Sequence, residues 1–123
     1  MDFAGILYHD LGKAVVMMQS WMEDCASESL RWEAVRNDVL RTRRDPNGEL
    51  SAIQIWSYLQ EQEGWEPLSK TKMGVQLCVL MRELDGYTNA LMHPFSRDVL
   101  LAVEHICGQI HRVTTAIRDG VDI

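Results

Sequence analysis

Serine stands at positions 51, 69 and 96 with an apolar residue just before it and another four positions after it. The pairs are Leu50 with Ile55, Leu68 with Met73, and Phe95 with Leu100. A serine oxygen can accept a bond from the unpaired amides of a first helical turn, and the flanking apolar pair can close as a hydrophobic staple. Three repeats of this arrangement, each bounded by Gly or Pro, predict helices over 52–63, 70–84 and 97–118. Gly64, Gly86 and Gly120 fall just past their ends, where a left-handed residue is wanted.

Between these signals the apolar residues recur at three and four rather than at two. Asp2 is placed to cap a first helix running to about Cys25, with Leu7, Leu11, Ala14, Met18, Trp21, Met22 and Cys25 as its stripe. Val15, Val16 and Met17 widen that stripe, so the helix is expected to be covered on more than one side, by the core or by a partner. A second helix starts at Ser27, carries Trp32, Val35 and Val39 on one face, and ends before the turn formed by Asp45, Pro46, Asn47 and Gly48. Met73, Leu77, Leu80, Met81 and Leu84 form the stripe of the fourth helix, and Leu100, Val103, Ile106, Ile110, Val113 and Ile117 that of the fifth. Gly108, within the fifth, predicts that another backbone passes close by. The expected fold is all-α: one domain over residues 1–123, a bundle of about five helices with a helix-turn-helix-like middle pair.

At 123 residues there is room for one domain, and 46% hydrophobic with 24% charged residues is the balance of a soluble globular chain. No basic n-region precedes an apolar run, and no segment reaches the ~18 apolar residues of a membrane span, so a cytoplasmic protein without membrane association is expected. Cys25, Cys78 and Cys107 are scattered singly and read as reduced core thiols. The excess of 18 acidic over 12 basic residues, a net charge of −6, repels nucleic acid except at a local basic face.

Chemistry-bearing strings are few. Tyr8-His9-Asp10-Leu11-Gly12-Lys13 resembles the metal-binding doublet of HD-domain phosphohydrolases, yet residues 1–8 hold no histidine to complete a metal shell. It also resembles the phosphoacceptor box of histidine kinases, which depends on a separate ATP-binding domain. His9 and Asp10 are therefore read as a polar pair on the solvent side of a helix. Cys107 and His111, four apart, could share one helix side, but a zinc site needs three or four ligands and no second pair stands at ligand spacing. No nucleophile elbow, phosphate-cradling loop or carboxylate pair is present. No enzyme activity, metal or cofactor is expected.

Residues 49–84 resemble the winged-helix domain at the C-terminal end of phage and plasmid primase-helicases, through Trp65, Pro67-Leu68-Ser69-Lys70 and Gly74. The resemblance implies that Lys70, Thr71, Lys72 and Gln76 face DNA phosphates or bases, with Arg41, Arg43 and Arg44 as an accessory basic patch. It also implies a phage or mobile-element setting. The span from Gly86 to Phe95 is short for a two-stranded wing, and the acidic total favours a different partner. The leading expectation is a small non-catalytic regulatory or adaptor protein, of the kind that blocks host machinery by occupancy. It would bind a protein, with a second copy of the chain among the candidates. Helix-turn-helix DNA binding is the alternative. Met17, Met18, Met22, Met73, Met81 and Met92, with Trp21, Trp32, Trp56 and Trp65, suit adaptable contact surfaces. Val16 and Met17, beyond what one core-facing stripe needs, are the expected contact strip.

Overall fold

A computed structural model of the chain describes residues 2–19, 52–90 and 97–120. These residues are all-α, with no strand among them. The expected helix from Ser27, the basic patch Arg41, Arg43 and Arg44, the caps Ser51 and Ser96, and Trp21, Met22 and Cys25 lie outside the described residues.

Helix α1 covers residues 3–19. It is α-helical over Phe3–Leu7, π-helical over Tyr8–Gly12, and α-helical again over 13–19. Asp2 caps it as expected, its carboxylate accepting from the Gly5 amide at 2.8 Å. The π turn takes in more residues than an α turn and so rotates everything after it. The buried face therefore runs Leu7, Leu11, Val15, Met18, whereas Ala14, expected in the stripe, is only half-buried.

Helix α2 (Ala52–Gln60) stops short of residue 63 and buries Ala52, Trp56 and Leu59. Its chain leaves through turns in which Glu61 donates to the Tyr58 carbonyl and Gln62 to that of Leu59. Gly64 is right-handed, not left-handed as expected (φ −66°, ψ −17°). It is nonetheless a position for glycine, because a Cβ there would stand 2.6 Å from the Phe3 side chain. Helix α3 (Trp65–Ser69) follows at once, where a turn was expected. Pro67 fits its first turn, where amides have no helical partner. Trp65 packs edge-on against Trp56, ring centroids 4.8 Å apart at 80°.

Helix α4 (Lys72–Ala90) starts two residues later than expected and runs through Gly86 to residue 90. Thr71 caps it rather than Ser69. The Thr71 hydroxyl accepts from the Gly74 amide at 3.0 Å and donates to the Leu68 carbonyl at 2.6 Å. Ser69 closes α3 instead, donating to the Glu66 carbonyl. The staple expected of Leu68 and Met73 is therefore out of register with the real cap, though both residues are half-buried against the core. Gly74 is required for packing, because a Cβ would collide with the Leu68 carbonyl.

Helix α5 (Arg97–Arg118) matches its expected bounds, and every residue of its stripe is buried. Gly120 is the left-handed residue expected past its end (φ +69°), its amide bonded to the Ile117 carbonyl. Helix α4 packs on α5 over Leu77, Leu80, Met81 and Leu84, and α1 packs on α5 from another side. Tyr8 meets Arg118, Gly12 meets Thr114 and Gln19 meets Gly108, so α1 and α5 run antiparallel. The neighbour at Gly108 is thus the Gln19 side chain, 3.3 Å from where a Cβ would be, not the backbone that was expected. Among the described residues no helix is long and apolar enough to cross a membrane.

Candidate functional site

The outer side of α1 lies opposite the buried face of Leu7, Leu11, Val15 and Met18. Val15 and Met18 face inward, and the two residues between them, Val16 and Met17, point outward at 39% and 56% exposure. Lys13, also exposed, precedes them, and Gln19 follows, half-buried. The expected contact strip is thus an exposed apolar pair on a helix whose inner face is fully engaged.

At the start of α1, His9 and Asp10 form the polar surface pair expected of them, with Nδ1 and an Asp10 carboxylate oxygen 3.0 Å apart. Behind them Tyr8 lies under the Arg118 guanidinium, whose carbon is 4.0 Å from the ring centroid, and 6.0 Å from the ring of His111. Arg118 donates to the Asp119 carboxylate at 2.9 Å, which raises its already high pKa further. Thr114 and Thr115 both donate to the His111 carbonyl. The His111 Nδ1 is buried and has no hydrogen-bond partner among the described residues.

Cys107, four residues before His111, is wholly buried, as its place beside the apolar stripe predicted. Burial, and then the charge of Glu104, pushes its thiol up to about 12, so it stays protonated and unreactive. Cys78 is a free, half-buried thiol raised by burial, an effect that the Arg82 charge opposes. Among the described residues, no group of three or more His, Cys, Asp and Glu side chains could hold a metal.

Lys70, Lys72 and Gln76 are each exposed, where α3 gives way to α4. Thr71 does not join them, because both its hydrogen-bonding roles are used at the helix start. Lys70 lies 3.9 Å from Glu66, and Glu61 and Glu63 are exposed on the same connection. The segment from Glu61 to Lys72 therefore carries three acidic and two basic side chains. The residues from Gly86 to Ala90, where a wing would begin, continue α4.

Two surface features escaped the sequence reading. An open groove of about 680 Å³ lies between α4 and α5, lined by Glu83, Gly86, Tyr87, Ala102, His105 and Gln109 among others. Val75 and Val79 are also exposed on α4, at 52% and 47%. Their signal was present: two β-branched residues one turn apart and off the Leu77, Leu80, Met81, Leu84 stripe. No family model matches this chain, and neither a curated protein nor a solved structure is significantly similar to it.

Proposed function

We propose that this chain is a small non-catalytic regulatory or adaptor protein that binds a protein partner through the outer face of α1, centred on Val16 and Met17. The observation that carries this reading is the exposure of these two apolar residues beside the inward-facing Val15 and Met18. An unbranched methionine adapts its shape to a partner, and burying the pair would remove apolar surface from water on binding. The acidic total suits a protein partner better than a polyanion.

DNA binding through Lys70, Thr71, Lys72 and Gln76, with Arg41, Arg43 and Arg44, is the competing reading. The glutamates that precede the two lysines, Glu66 within 3.9 Å of Lys70, and the engagement of Thr71 in the α4 cap count against it.

The test places a photo-crosslinking residue at Met17 and, as a control, at exposed Glu61, in the protein's native cells. The expected result is an adduct with one protein from position 17 only. Purified, that protein should bind the parent saturably and lose affinity at least tenfold for Val16→Ser/Met17→Ser, with helical content unchanged. Equal affinity for the parent and the double variant would overturn the reading. So would submicromolar binding to random-sequence duplex that disappears when Lys70 and Lys72 are replaced by Gln.

A further inference from the structure

The outward ridge of α4 lies between the side that meets α5, where Glu83, Gly86 and Tyr87 line a groove, and the side that meets α2, where Cys78, Met81 and Arg82 line another. Val75 and Val79 form its middle. Lys72 stands at one end and Glu83 toward the other; both are exposed, and neither forms an ion pair with another described residue. Eleven residues is about three helical turns, so Lys72 and Glu83 occupy the same flank of the ridge, the flank toward α5. Arg82, one residue earlier, falls on the opposite flank.

We infer that this ridge is a self-complementary surface on which α4 of a second copy lies antiparallel, about a two-fold axis close to Val79. Such an axis keeps each flank matched with the same flank of the other copy and reverses chain direction, as an isologous contact requires. Each Lys72 then comes beside Glu83 of the second copy. Val79 meets its own equivalent at the axis, and Val75 covers the aliphatic stem of Arg82 across the interface. Gly86 falls opposite Lys72, and nothing lies within 4 Å of where its Cβ would be, so the lysine stem has room against bare helix backbone. A parallel pairing would instead set Lys72 against Lys72 and Glu83 against Glu83. Antiparallel helix dipoles favour the same orientation.

The ridge is only about 21 Å long, so the contact falls below the ~1,200 Å² of a standard interface. The dimer should be weak, with a dissociation constant on the order of tens of micromolar. This surface is separate from Val16 and Met17, and its failure would leave the reading of α1 untouched.

Sedimentation equilibrium of the full chain, from about 10 μM to about 1 mM at low salt, tests the inference. The parent should dimerise. Lys72→Glu and Glu83→Lys should each raise the dissociation constant about tenfold, since each replaces two attractive pairs by two repulsive ones. Combined in one chain, the two substitutions should restore dimerisation to near the parent value. Mixing the two single variants should give a heterodimer tighter than either homodimer. Val79→Arg should abolish association, while Val16→Ser/Met17→Ser should leave it unchanged. A parent that stays monomeric to about 1 mM, a swap that fails to restore, or a dimer lost with Val16 and Met17 would each overturn the inference.

Discussion

The backbone of Gly12 is pressed against Thr114: a Cβ at position 12 would stand 2.9 Å from the Thr114 hydroxyl oxygen and 3.3 Å from the Tyr8 ring. This contact closes the π turn of α1 onto α5. Both residues are buried, so neither has free space into which to retreat.

Gly12→Ala should therefore destabilise the protein by about 1–3 kcal/mol, although alanine is the better helix former. The double variant Gly12→Ala/Thr114→Ala should recover at least half of that loss, because the atom that meets the new methyl is gone. The Thr114 hydroxyl donates only to the His111 carbonyl of its own helix, so removing it should cost little by itself. Urea melts of the four proteins make the double-mutant cycle. Additive losses would mean that the strain lies elsewhere.

At the start of α4 the discriminating pair is Thr71 and Ser69. Thr71→Ala removes the acceptor of the Gly74 amide and should cost about 1 kcal/mol. Ser69→Ala removes a hydroxyl that donates to a carbonyl within α3 and should shift the melt by less than about 0.5 kcal/mol. Equal losses would place the helix start at Ser69 after all.

Cys107 makes stability depend on alkaline pH in a direction that can be worked out. Its thiol titrates near 9.0 when unfolded and at about 12 when folded. Between those values the unfolded chain has lost a proton that the folded chain keeps, so stability is complete below pH 9 and falls as pH rises toward 12. The slope approaches about 1.4 kcal/mol per pH unit for one such group. Cys107→Ala lowers stability throughout by opening a small cavity, but it should flatten the decline between pH 9 and 10.5. An identical slope in parent and variant, read from urea melts at matched ionic strength, would exclude this thiol as the source.

Much of this architecture could be read from residue spacing, and the exceptions share a cause. The α5 stripe was legible because nothing interrupts a regular period of 3.6 from Leu100 to Ile117, and Gly120 because its left-handed turn is local. Ser69 and Thr71 were not separable by residue type, since both are good caps. The difference lies in α3, whose single helical turn from Trp65 runs through Ser69 and leaves Thr71 as the residue before α4. Gly86 could not be placed because a helix interior accepts an exposed glycine at a cost of only about 1 kcal/mol. Val16 and Met17 stood out as surplus to one stripe, whereas the α4 ridge did not, because Val75 and Val79 are only two apolar residues among polar ones on the face away from the stripe.

The π turn itself left no trace in the spacing, yet it favours Val15 over Ala14 as the inward residue after Leu11, while Val16 faces outward on either period. In an uninterrupted α-helix starting from Leu7 and Leu11, the next inward position after three residues is Ala14, and Val15 shares the boundary. With the turn over Tyr8–Gly12, Val15 is fully buried and Val16 looks outward. Removing two buried methyl groups costs far more than removing two exposed ones, since only the buried pair leaves a cavity behind. Val15→Ala should therefore cost about 1–3 kcal/mol, and Val16→Ala less than about 0.5 kcal/mol. Thermal and urea melts of the two variants read this directly. A larger loss at position 16 than at 15 would mean that the inner face of α1 in solution is not the Leu7, Leu11, Val15, Met18 face. The strip on which partner binding is proposed would then be part of the core.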